Sequence, residues 1–506
     1  MVSIVHSSAP FGLRGLEVEI ECDLNQGLPG ITIVGLGAKA IDEAKERVKS
    51  ALLNSGLQLP RKRITINLSP ADFPKDGASY DLPIAIAVLA ASQQIEAKLE
   101  NMAFVGELAL DGRIKSVPGI IIHAQVAKAR GFKQLILPSV NARQARLIDG
   151  LELIPADNLK QIYRHLTGTE PLTALKAMDR LQMPANADGN LAINLSDVSG
   201  QELAKRALEI AAAGHHNLLM TGPPGTGKTM LAQALIGIMP PLNRPEVIEV
   251  TNIYSLARLN PGEVLTGRPF RSPHHTASQI SLIGGGKDAL PGEISLAHKG
   301  VLFMDELPEY PRTVTEVLRQ PLEDKRVDIA RASRRVRYPA DFMLVATQNP
   351  CPCGYYGDNV KTCICTAYQI TQYQKRISGP LMDRIDLVVE VDRLSSERVL
   401  ANDTQAETSQ IVQARVAAAR SRQVKRNRGR TNSQLTTREL KDLPALSPAA
   451  RQLLISAIDK LDLSPRAAMR SLKVARTIAD LEGSAGINQS HIGEALQFRL
   501  REQALV

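Results

Sequence analysis

Gly222-Pro223-Pro224-Gly225-Thr226-Gly227-Lys228-Thr229 stands between the apolar run NLLMT (217–221) and the helix-patterned MLAQALIGIM (230–239). It is a complete G-x-x-x-x-G-K-[ST] loop in a strand–loop–helix setting. The glycines let the backbone turn so that its N–H groups point inward at phosphate oxygens, and the following helix presents its positive end. Lys228 is placed to reach the β and γ phosphates, and Thr229 to ligate Mg²⁺. At a glycine usage of about 7%, the bare pattern arises in roughly one chain of this length in a hundred, so the flanking pattern makes chance a weak rival.

Downstream, the apolar strand Val301–Met304 runs into Asp305-Glu306, two carboxylates at the C-terminal end of a strand, where open α/β sheets place ligands. Asp305 suits a hydrated Mg²⁺ and Glu306 suits the orientation or activation of an attacking water. A third strand, DFMLVATQNP (341–350), ends at Asn349, whose amide can position the same water; an Asn before Pro is equally a turn residue. Long connections between these strands predict a parallel sheet with crossover helices.

The 506 residues exceed one ordinary core, and 44% hydrophobic with 22% charged residues excludes wholesale disorder, collagen and a coiled-coil rod. Aromatics are 3% with no Trp, which argues against a reader of single strands built on base stacking. A net charge of +9 permits a polyanionic partner without showing one. No basic leader with a long apolar stretch opens the chain, and no run of about 18 uncharged apolar residues occurs, so a cytoplasmic protein without a membrane partner is expected.

Residues 1–170 alternate strand and helix signals, as in LEVEIEC (16–22), ITIVGL (31–36) and RITINL (63–68), and predict an α/β or α+β domain. A linker is expected over 171–195, the nucleotide-binding core over 196–395, a basic linker over 396–440 and a small helical domain over 441–506.

The loop, the D-E pair and Asn349 resemble the AAA+ ATPases: a P-loop parallel-sheet core with a C-terminal helical lid, using ATP and Mg²⁺. Asn349 matches sensor 1. Gly379-Pro-Leu-Met-Asp-Arg384 is similar to the segment carrying the arginine finger, which implies that Arg384 reaches the γ-phosphate of a neighbouring subunit. Ser464-Pro-Arg466 is similar to sensor 2, which implies a phosphate contact from the lid. A finger acting in trans implies a closed ring, and a homohexamer is expected. RPFRSPHHTASQISLIGGG (268–286) resembles the insert of the magnesium-chelatase-like branch, and more narrowly that of its ComM-type members. This resemblance implies sequence-independent DNA as partner, recombination proteins beside it, and branch migration of recombination intermediates during natural transformation. The alternatives are a magnesium-chelatase-like subunit driving metal insertion or protein remodelling, a Lon-type protease, and a non-catalytic scaffold.

VDIARASRRVRYPADF (327–342) predicts a β-hairpin and resembles a pore hairpin, with Arg331, Arg334 and Arg335 at or near its tip, either following a phosphate backbone or forming a solvated basic edge. Arg420, Arg422, Lys425, Arg426, Arg428 and Arg430 form a second basic run, read as a solvated linker. Cys351, Cys353, Cys363 and Cys365 make CxC-x9-CxC; four thiolates from two loops can close a tetrahedron around a structural Zn²⁺, with free thiols or a redox pair as alternatives. Finally, Pro74-Lys-Asp-Gly-Ala-Ser79 with Gly106-Glu-Leu is similar to the Lon-protease domain, a ribosomal S5 domain 2-like fold, with Ser79 at the serine of the Ser–Lys dyad. The lysine position falls on Ile121, which cannot take a proton, so a catalytically dead domain is expected.

Overall fold

A computed structural model describes residues 2–35, 38–71, 75, 77–176, 193–286, 288–331, 334–394, 406–441 and 446–499. Two compact units emerge, and each draws on separated stretches of chain.

The nucleotide-binding unit comprises 184–242, 266–333 and 339–506. Its five-stranded sheet runs in the order Phe270–Arg271, Val301–Met304, Met343–Gln348, Leu218–Thr221, Leu387–Glu390, with all neighbours parallel. Val301–Met304 and Met343–Gln348 are buried along their whole length, the pattern of parallel strands covered on both faces. The helices Glu202–Gly214 and Lys228–Ile238 pack beside the sheet in one apolar core that also takes in Val412, Val416, Ala475 and Ile478 from the C-terminal helices. Of the expected hairpin, the strand Arg326–Arg331 lies in this unit, whereas residues 334–338 of the strand Arg334–Pro339 fall to the other. The helical domain consists of Pro448–Lys460, Pro465–Leu481 and Gln489–Gln497. Ser447, Ser464 and Asn488 cap these three helices by accepting a backbone N–H three residues on.

The basic segment before the lid departs from expectation. Ser409–Arg426 is an 18-residue helix whose Val412, Val416 and Ala419 enter the core. Arg426 grips buried Asp480 at 2.6 and 2.8 Å, Arg422 donates to the Asp480 carbonyl at 2.7 Å, and Arg430 pairs with Glu439. Charge density alone suggests solvation; an apolar stripe at helical spacing and acidic partners on distant segments override it.

The other unit comprises 1–183, 243–265 and 334–338, so its boundaries are not those of one continuous segment. Helix Arg244–Leu256, expected in the nucleotide-binding core, belongs here: the Gly119 N–H donates to Ser255 Oγ at 2.9 Å and Gln144 Nε2 to the Glu263 carbonyl at 2.8 Å. A mixed seven-stranded sheet has the order Gly30–Val34, Arg63–Ser69, Arg14–Asn25, Val2–Phe11, Met102–Phe104, Gln134–Pro138, Glu152–Ala156. Apolar helices Asp81–Ala91 and Ile120–Ala129 cover it. Most of the linker expected over 171–195, and residues 395–405 of the basic one, lie outside the described residues.

Candidate nucleotide site and thiolate cluster

Three strand ends deliver the phosphate chemistry to one place. Gly222 must be glycine, because a Cβ there would sit 2.2 Å from the Val391 carbonyl oxygen. Gly225 and Gly227 turn the loop at φ +80° and +87°, the left-handed region that side chains disfavour. Helix Lys228–Ile238 follows directly. Buried Lys228 donates to the carbonyls of Gly222 and Pro223 at 2.7 and 2.8 Å, and to Asn349 Oδ1 at 3.4 Å. Burial pulls its ammonium pKa down, against the opposing pull of Asp305 and Glu306. Two main-chain carbonyls are thus holding a cation whose stronger natural partner is a phosphate oxygen.

Opposite it, Thr229 Oγ1 donates to Asp305 Oδ2 at 3.4 Å, and Asn349 Nδ2 to Glu306 Oε1 at 3.4 Å. The hydroxyl and carboxylate of Thr229 and Asp305 are hard oxygen donors of the kind Mg²⁺ takes, so these residues fit the ion. Glu306 adopts φ +52°, a left-handed conformation uncommon for a non-glycine residue and one that concentrates at functional sites.

A residue missed in sequence organises this pair. Thr347, fully buried, donates to Asp305 Oδ1 at 2.5 Å and accepts the Glu306 N–H at 2.9 Å. The parallel register, which sets Met304 beside Ala346, brings Thr347 level with the carboxylates. A threonine closing an apolar strand was the only signal in the sequence.

The two arginines behave differently. Arg384 is tied within its own chain, to Glu323 and to the Arg319 carbonyl at 3.2 Å, beside a cavity of about 510 Å³ lined by Gln279, Glu316 and Gln320 among others. Arg466 is exposed in the first turn of Pro465–Leu481, while Arg470, one turn on, holds Asp383 at 3.1 Å and the carbonyls of Met382 and Ile385. Arg335 is exposed; the side chains of Arg331 and Arg334, and residues 332–333 between them, lie outside the described residues.

The four cysteines converge. Cys351 Sγ lies 3.3 Å from Cys353 Sγ and 3.7 Å from Cys363 Sγ, Cys353 and Cys363 are 3.6 Å apart, and all four sulfurs lie within 4.8 Å of one another. Cys353 is drawn down to about 6: burial opposes ionisation, but backbone N–H groups of Tyr355 and Ile364 and neighbouring thiols favour the thiolate. Cys363 moves up to about 12; the Cys365 N–H favours its thiolate, and burial with the adjacent thiols outweighs that.

In the other unit, the Ser79 turn is joined to the Gly106 segment: the Gly106 N–H donates to the Ser79 carbonyl and the Leu82 N–H to the Gly106 carbonyl, both at 3.1 Å. Asp81, two residues on, meets Arg47 at 2.6 Å, yet burial lifts its carboxyl to about 6. Ile121 is fully buried in helix Ile120–Ala129, and Lys115 and Lys128 are exposed. Pro74 and Asp76 of the motif lie outside the described residues.

A parallel sheet carrying a P-loop, with paired carboxylates and an amide at the ends of neighbouring strands, defines a nucleoside-triphosphatase of the P-loop class. Three family models match: magnesium chelatase subunit ChlI over 194–399, subunit ChlI of Mg-chelatase over 20–141, and the ChlI C-terminal region over 406–499. The protein YifB of Salmonella typhimurium is 43% identical over 507 residues, spanning 100% of this chain and 98% of its own. Competence protein ComM of Haemophilus influenzae is 44% identical over 502 residues, spanning 98% and 97%. Lon protease 2 of Bacillus subtilis is 28% identical over 190 residues, 34% of each chain. The chain belongs to the magnesium-chelatase ChlI family of AAA+ ATPases, among its ComM-type members. Among the described residues, no helix is long and apolar enough to cross a membrane.

Proposed function

We propose that this protein is an ATP-driven motor that assembles as a hexameric ring on DNA and moves branch points in recombination intermediates. The observation that carries the reading is the wiring of Lys228, Asp305, Glu306, Thr347 and Asn349 into one pocket, in a chain 44% identical to a protein named for competence. Competence concerns DNA, and the +9 charge suits a polyanion.

Within one subunit, Lys228 exchanges its loop carbonyls for phosphate oxygens, and Thr229 with Asp305 hold Mg²⁺, which when bound neutralises charge developing on the phosphates. Glu306, oriented by Asn349, takes the proton of the attacking water. Arg384 leaves Glu323 to face the nucleotide of the next subunit, so ring closure completes the site. Arg335 and its hairpin neighbours follow the DNA backbone without reading bases. The thiolate cluster adds one structural zinc ion.

The test is ATP-dependent migration of a synthetic four-way junction, run beside simple fork unwinding. Movement that fails after Arg335→Glu, with basal hydrolysis kept, is the expected result. Hydrolysis without DNA movement or DNA binding at several salt concentrations sinks the DNA reading and favours the alternative, a chelatase-like ATPase that remodels a protein or inserts a metal, which the ChlI match over 194–399 supports.

A further inference from the structure

The insert that follows sensor strand Met343–Gln348 has almost no core of its own: Tyr356, Val360 and Ile364 are 46, 70 and 86% exposed. Something other than apolar burial must hold it. A tetrahedron of thiolates at the usual Zn–S distance of about 2.3 Å has S···S edges of about 3.8 Å. The measured separations of 3.3, 3.6 and 3.7 Å sit near that edge and far from a disulfide's bond of about 2.05 Å. The Tyr356 N–H also donates to Cys351 Sγ at 3.3 Å, the outer hydrogen bonding that metal-bound thiolates use.

The insert is also tied to the chain around the nucleotide site at three points, one of them in the P-loop itself. Cys351 follows Asn349 by two residues, and Gln374 Nε2 donates to the intervening Pro350 carbonyl at 3.2 Å. Gly354, at φ +85°, lies so close that a Cβ would come within 2.7 Å of Pro224 Cδ in the P-loop. Asp358 pairs with Arg393 at 3.4 Å, two residues beyond Val391, whose carbonyl forces glycine at 222.

We propose that Cys351, Cys353, Cys363 and Cys365 bind one Zn²⁺ and that the knuckle it closes braces the P-loop and Asn349, so that ATP affinity depends on occupancy of the thiolate site. This rests on the ATP-site and zinc assignments above and extends them to control of one site by the other. The cysteines are positioning residues: no thiol is assigned a contact with nucleotide. Metal release frees the insert, and Pro224 and Asn349 lose a fixed neighbour, so the pocket is no longer preorganised for phosphate.

The experiment measures bound zinc by mass spectrometry, ATP affinity with a fluorescent analogue, and the split between KM and kcat, all on the full chain. Wild type is expected to hold about one zinc per chain. The double variant Cys363→Ser, Cys365→Ser, which leaves the contact at Gly354 intact, is expected to hold none and to bind ATP roughly tenfold more weakly, within ordinary site-to-site coupling. Its kcat at saturating ATP falls by less than its affinity does, because Asp305 and Glu306 keep their places and only Asn349, which orients Glu306, loses its neighbour. Chelated wild type shows the same loss, and added Zn²⁺ restores affinity. Gly354→Ala keeps zinc and still weakens ATP binding, since it presses on Pro224; if it sheds zinc instead, it is read as a further zinc-free form. Should the double variant not fold, chelated wild type and Gly354→Ala decide. Zinc-free protein with wild-type ATP affinity overturns the brace and leaves the metal site standing. Wild type that takes up no zinc overturns both, and zinc-loaded wild type that binds no ATP overturns the nucleotide assignment instead.

Discussion

The turn that carries Ser79 and the loop that carries Lys228 are built alike. Each precedes a helix, and each is fixed by backbone hydrogen bonds to a strand end or its extension: Ser79 through Gly106, and Gly222 through its N–H to the Gln348 carbonyl at 3.2 Å. The difference lies in the groups that face them. Lys228 donates directly to Asn349, and the carboxylates beside it are held in place, Asp305 by Thr229 and Thr347 and Glu306 through its N–H to Thr347. Around Ser79, the position where the Lon resemblance implies a basic lysine is Ile121, fully buried in helix Ile120–Ala129. An apolar side chain at that position can pack but cannot take a proton, so the expectation for Ser79 is a structural role.

That contrast breaks most visibly at Glu306. Glu306→Gln keeps the side chain's shape and removes its basicity, so steady-state phosphate release should fall by about 10² to 10⁴-fold with ATP still bound. Lys228→Ala, by comparison, should abolish binding itself. Turnover near wild type in Glu306→Gln would show that another group activates the water. A smaller effect is expected at Thr347. Thr347→Val keeps the volume but leaves the Glu306 N–H unpaired and frees Asp305, with a cost of about 1–3 kcal/mol, or roughly 5- to 150-fold in kcat/KM. Titrating Mg²⁺ sharpens the result: a raised Mg²⁺ requirement places the loss at Asp305, and an unchanged one places it at Glu306. Smallest of all, Ser79→Ala should alter neither ATP turnover nor any peptide cleavage. Casein degradation by wild type that Ser79→Ala abolishes would erase the contrast altogether.

The motif residues were legible because short-range spacing constrains them. A loop that wraps phosphate needs its glycines and lysine at fixed offsets, and a strand that must be buried announces itself as VLFM before Asp305-Glu306. Thr347 was not legible, because its role follows from lateral register between strands about 40 residues apart, and no local pattern encodes register in a buried parallel sheet. Arg426 misled for the same reason: its partner Asp480 lies 54 residues away, and a run of charge reads as solvated until such a partner is found.

By itself, then, the sequence determined the nucleotide chemistry, the parallel sheet that presents it and the four thiols that gather beside it, since each is written in residue type and nearby spacing. Tertiary structure alone decided that Arg384 rests on Glu323, that the basic segment forms a helix with one face in the core, and that helix Arg244–Leu256 joins the unit of the N-terminal sheet. Those outcomes depend on which distant surfaces meet, and the free energy of such meetings belongs to pairs of residues that no single stretch of chain contains.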